Sequence, residues 1–174
     1  MKRLYFILFL FYTLISCQAP RSGTEMMYDY EETVSNQKEE ANIEEVKPRL
    51  ELMATAARES LTAREISDPV VKGEKVRSLR LWSDGDSWPV VLEVTYPADG
   101  SDPSAVYYFR DRQLLAVEKE NANFILKKDK LQVWADQNWE PLKNKSTAQW
   151  LDQENYLLNN AKKYLNAFEI NYEE

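Results

Sequence analysis

The apolar residues Ile43, Val46, Leu50, Met53, Ala57 and Leu61 recur at intervals of three and four, with Glu44, Lys47, Glu51 and Arg58 falling between them. That period lays the apolar set along one face of a helix, predicted over residues 37–64. Pro48 interrupts the pattern. Inside a helix it removes one hydrogen bond and clashes with the preceding turn at about 3 kcal/mol, so either a kink or a junction of two segments is expected there.

The pattern changes after Ser67-Asp68-Pro69. Runs rich in Val, Leu and Tyr at 75–83, 89–96 and 104–110 are divided by clusters of Gly, Pro and Asp, the pattern of strands joined by hairpin loops. In the second run Val90, Leu92, Val94 and Tyr96 fall on one face and Val91, Glu93 and Thr95 on the other. One face is therefore expected to be buried and the other half wet. Two later phrases echo each other: Phe109-Arg110-Asp111-Arg112-Gln113-Leu114 and Leu126-Lys127-Lys128-Asp129-Lys130-Leu131 share an apolar residue, a polar turn holding an aspartate, and a leucine five places on. Their offset of 17 residues matches one up-and-down strand pair and predicts a meander. A further turn at Asp136-Gln137-Asn138 precedes Trp139.

Ser146, three residues before Gln149, forms a capping box that satisfies free amides at a helix start. The helix is predicted over 147–169, with Trp150, Leu157, Ala161, Tyr164 and Phe168 on one stripe and Leu151, Leu158 and Leu165 beside it. The fold expected is α+β: an antiparallel meander of about six strands with an N-terminal and a C-terminal helix laid over one face.

Ahead of this domain, Lys2 and Arg3 precede an apolar run from Leu4 to Ile15, the form of a secretion signal and too short for a bilayer, which needs about 20 residues. Leu14-Ile15-Ser16-Cys17 resembles the bacterial lipobox. The resemblance implies that 1–16 are a signal peptide and that Cys17 becomes the acylated N-terminus. At about 0.8 kcal/mol for each buried CH₂, three acyl chains anchor a protein almost permanently. The phenylalanine-rich signal and Ser-Cys junction are similar to lipoproteins of the Bacteroidota. The sequence after Cys17, Gln18-Ala19-Pro20-Arg21-Ser22, lacks the aspartate that favours inner-membrane retention and the acidic cluster that favours surface export. The likeness thus implies a lipid-anchored envelope protein in the outer membrane, facing the periplasm. Residues 17–36 carry Pro20, Gly23 and acids without apolar periodicity and are expected to form a flexible acidic tether, leaving 37–174 as a single domain. The phrase Tyr107-Tyr108-Phe109-Arg110-Asp111-Arg112-Gln113-Leu114 is similar to strand-turn-strand phrases of small exported bacterial proteins and bears on fold alone.

Charge sharpens this picture. Loss of 1–16 removes two positive charges and no acid, taking the formal net charge from −7 to −9. Such a chain is a poor partner for nucleic acid or anionic lipid heads, so the acyl chains rather than the surface must hold it on the membrane. Cys17 is the only cysteine and there is no histidine. The domain thus lacks the commonest general base, the usual partner of a nucleophile and the commonest transition-metal ligand. No cofactor or metal is implied: Asp84-Gly85-Asp86 and Asp99-Gly100-Ser101-Asp102 suit turns better than the six or more oxygens of a calcium site. Paired carboxylates remain open to an envelope hydrolase, yet among 29 acidic side chains spacing singles out no pair. The expectation is a non-enzymatic binding or scaffold module for an envelope protein or glycan. Of the aromatics on or beside strands (Trp82, Trp88, Tyr96, Tyr107, Phe109, Trp134, Trp139), Trp88 and Trp139 adjoin loops and are the candidate surface anchors.

Overall fold

The computed structural model describes residues 43–85, 87–97 and 104–172; Cys17, the expected signal peptide and the expected tether lie outside them. Helix α1, Ile43–Ser60, runs through Pro48 without a break, with Glu44 and Glu45 in its first turn and Arg58 in its last, the charge order that complements the helix dipole. Its buried residues are Leu50, Ala54 and Ala57. The helix stops at Ser60, short of the expected end, because Ala63–Ser67 form strand β1. This strand has a single half-buried apolar residue, Ile66, and so carries no periodic signal.

Strands β2 (Val70–Val71) and β3 (Glu74–Lys75) make a small hairpin around Gly73, at φ +81°. The main sheet continues with β4 (Ser78–Ser83), β5 (Pro89–Thr95), β6 (Ala105–Arg110), β7 (Gln113–Lys119), β8 (Ala122–Lys127) and β9 (Lys130–Asp136). Its order is β1-β4-β5-β6-β7-β8-β9, antiparallel throughout. It is a meander of seven strands rather than six, with β2–β3 inserted between the first two. The echoed phrases are equivalent hairpins: Asp111 and Arg112 (φ 51° and 66°) and Lys128 and Asp129 (φ 52° and 59°) form two-residue turns of type I′ character without glycine, closed by Arg110–Gln113 and Lys127–Lys130, with the apolar pairs Phe109–Leu114 and Leu126–Leu131 next to them.

Helix α2, Thr147–Asn166, starts at the expected capping box, in which the Gln149 N–H donates to Ser146 Oγ at 3.3 Å and the Ser146 N–H donates to Gln149 Oε1 at 3.0 Å. It ends before Phe168, which folds back into the core. None of the described helices is long and apolar enough to cross a membrane.

The two helices do not share a face. Leu81, Leu92, Tyr107 and Val117 pack in one cluster with Leu157, Ala161 and Tyr164 of α2; Trp82, Val91, Tyr108 and Ala116, adjacent along the same strands, pack in another with Leu50, Ala54 and Ala57 of α1. Adjacent strand residues point to opposite faces, so α1 and α2 cover opposite sides of the sheet. The expected two-layer sandwich is corrected to helix, sheet, helix. The reason lies in β5 and β6, where Leu92, Val94 and Tyr107 are buried on one face and Val91, Val106 and Tyr108 on the other. A strand apolar on both sides needs a cover on each.

Candidate functional site

Across the sheet a single register row runs through Glu65, Arg80, Glu93, Val106, Glu118 and Asn123. Glu93 is buried at 7 % exposure and neutralised from above by Arg58 of α1, whose Nη2 and Nε donate to Oε1 at 2.7 and 3.2 Å. Arg80 approaches its other oxygen at 3.9 Å while pairing with Glu65. Glu118 accepts the Tyr108 O–H at 2.6 Å, and burial, followed by this hydrogen bond, pushes the phenol well above its ordinary range. The Arg58–Glu93 pair pins the end of α1 to the sheet, and the others tie neighbouring strands together. Glu93 and Glu118 stand two strands apart in one row, about 10 Å between backbones, but each is turned to a partner of its own. On the other face Glu154 holds Lys130 and the Leu131 backbone.

An open cleft of about 630 Å³ lies between the middle of α1, the β4–β5 turn and the tip of β6–β7. Its apolar lining comes from Leu52, Met53, Pro89 and Val90, and its charge from Arg49, Arg110 and Arg112 against Asp84 and Asp111. The β4–β5 turn is closed by Asp84, whose Oδ1 accepts the Trp88 N–H at 2.9 Å and whose backbone N–H donates to the Trp88 carbonyl at 2.9 Å. This delivers the Trp88 ring to the rim. The left-handed conformation of Arg112 in the facing hairpin brings its guanidinium over that ring, 4.2 Å from the centroid. A guanidinium on an indole face is attracted by the ring quadrupole and keeps its edge donors free for an anion. Asp111 pairs with Arg110 at 3.6 Å, and Arg49 pairs with Glu45 one turn before it; these are exposed pairs whose partners exchange readily. Leu52, at 69 % exposure, stands out of the polar side of α1 into this space.

Of the two candidate aromatic anchors, Trp88 lines the cleft, although Arg112 takes one face of its ring. Trp139 does not join it. At 8 % exposure it packs among Trp82, Ile125 and Val133 beneath α1, placed there by a turn in which Asp136 Oδ1 accepts the N–H groups of Asn138 at 2.8 Å and Glu140 at 2.9 Å. Trp82, Tyr107 and Phe109 are buried, and Tyr96 and Trp134 are half-buried against the α2 cluster. No open aromatic face exists among the described residues, because each side of the sheet carries a helix. Sequence reasoning missed Arg49, Leu52, Met53, Arg110 and Arg112. The one available signal was Leu52, an apolar residue off the stripe of α1.

No family model, curated protein or solved structure matches this chain. The reading of the cleft therefore rests on its geometry.

Proposed function

We propose that this chain is a lipid-anchored binding module of a bacterial cell envelope, held on the membrane through acylated Cys17 and facing the periplasm. Its cleft takes a partner that presents anionic groups beside an apolar body, an acidic envelope protein or an anionic glycan. One observation carries the reading: in a chain of net charge −7, three separate elements bring Arg49, Arg110, Arg112 and Trp88 to one apolar-lined cleft. Arginines recognise planar anions through paired donors, and an aromatic platform beneath one of them lowers the entropy lost on binding.

The direct test is equilibrium binding of acidic peptides and anionic glycans to the acylated protein and to Trp88→Ala. Loss of the platform should weaken binding at least tenfold, about 1.4 kcal/mol, while leaving the melting midpoint nearly unchanged. Equal affinity in the two proteins would remove the cleft from the function. The anchor is tested separately: Cys17→Ala should leave the precursor uncleaved by the lipoprotein peptidase and without acyl chains, and processing at the same bond with the product still in the membrane fraction would overturn the lipoprotein reading. The hydrolase alternative draws on Glu93 and Glu118. It would gain if turnover of an envelope polymer were abolished by Glu118→Gln in a folded protein.

A further inference from the structure

The cleft has a candidate occupant in the same chain. Residues 25–32, Glu25-Met26-Met27-Tyr28-Asp29-Tyr30-Glu31-Glu32, lie outside the described residues and combine four acids with two methionines and two tyrosines, with no basic side chain among them. That composition complements the arginines and the apolar lining of the cleft; the cleft's two carboxylates, Asp84 and Asp111, are engaged by the Trp88 N–H and by Arg110. Carboxylates suit the guanidinium groups of Arg49, Arg110 and Arg112, and methionine and tyrosine suit the surface of Leu52, Met53, Pro89 and Val90.

The connection also reaches. Ten residues, 33–42, separate Glu32 from Ile43 at the start of α1, a length of chain that reaches about 33 Å at most. Arg49 is six residues into the helix, only about 9 Å along its axis. A tether of this length supplies an effective concentration on the order of 1 mM, enough to fill a site of modest intrinsic affinity.

We propose that residues 25–32 of this chain occupy the cleft in the resting protein and that an external partner must displace them. The inference rests on the cleft being the binding site. It adds a competitor: the tether both spaces the domain from the membrane and sets the threshold for binding.

The experiment uses the full acylated protein and a labelled synthetic peptide of residues 25–32 as probe. For an intrinsic Kd on the order of 0.1 mM and the effective concentration above, self-occupancy lowers apparent affinity about tenfold. The expected result is that a protein carrying Glu25→Gln, Asp29→Asn, Glu31→Gln and Glu32→Gln binds the peptide about tenfold more tightly than the wild type, and that adding Arg110→Glu to it removes the gain. Equal, measurable binding to wild type and neutralised protein would overturn self-occupancy while leaving the cleft as an acidic-peptide site. Absence of binding to both would overturn the proposal together with the choice of cleft.

Discussion

Glu154 of α2 accepts the backbone N–H of Leu131 at 2.7 Å, and one turn earlier on the helix the Trp150 indole donates to the carbonyl of the same residue at 2.9 Å. Leu131 belongs to β9, the last strand in the sheet order, so these groups find their partners on the helix. The sheet edge is thereby tied to α2 by side chains rather than by a further strand. Beyond it, Leu142 donates to the Trp134 carbonyl at 2.8 Å and continues the cover of this edge. A bare edge would invite pairing with other chains.

The Glu154 clamp should therefore be costly to remove. Glu154→Ala leaves the Leu131 N–H buried without its acceptor and should lose about 1–3 kcal/mol of stability in urea unfolding. An unmoved midpoint would mean that water replaces the carboxylate there.

Leu157 of α2 and Leu50 of α1 are both fully buried, but on opposite sides of the sheet. Each change to alanine should cost about 2–5 kcal/mol. Because the sheet separates them, the double variant should lose the sum to within about 0.5 kcal/mol. Strong coupling between the two would contradict the helix-sheet-helix layering.

Trp139 and Trp88 should part company in a thermal melt. Trp139→Ala empties a place in the cluster under α1 and should cost about 3–5 kcal/mol, whereas Trp88→Ala removes a rim contact worth about 1 kcal/mol or less. A larger loss for Trp88 would make it a structural residue instead of a binding one.

High pH should unfold the domain. Burial, as the largest cause, raises the phenols of Tyr107, Tyr108 and Tyr164 well above their ordinary value; hydrogen bonds from Tyr108 to Glu118 and from Tyr164 to Glu74 raise those two further. In the unfolded chain they ionise near pH 10. A raised folded value means that stability is complete below about pH 10 and falls above it, by about 1.4 kcal/mol per pH unit for each tyrosine. Absorbance of tyrosinate should thus rise in part cooperatively, together with loss of circular dichroism. Full ionisation of all ten tyrosines near pH 10 with the fold intact would refute the burial of these three.

What the chain determines locally was legible in it. The 3.6-residue period and the Ser146–Gln149 box located both helices, and the repeated polar turn with its closing leucine located the two hairpins, because each of these signals is made by residues within a few positions of one another. β1 escaped because an edge strand buries little and needs no alternation. The assignment of α1 and α2 to opposite faces escaped for another reason: apolar residues on both sides of β5 and β6 show that two covers are needed but not which helix supplies each. The cleft depends most on tertiary structure. Arg49, Trp88 and Arg112 come from a helix, a turn and a hairpin, and only the stacking of α1 on the sheet brings their side chains around one space. Sequence placed a tryptophan at a loop; packing decided that Trp88 meets an arginine at the rim while Trp139, beside a similar turn, fills the core, since burying an indole under α1 gains more than leaving it in water.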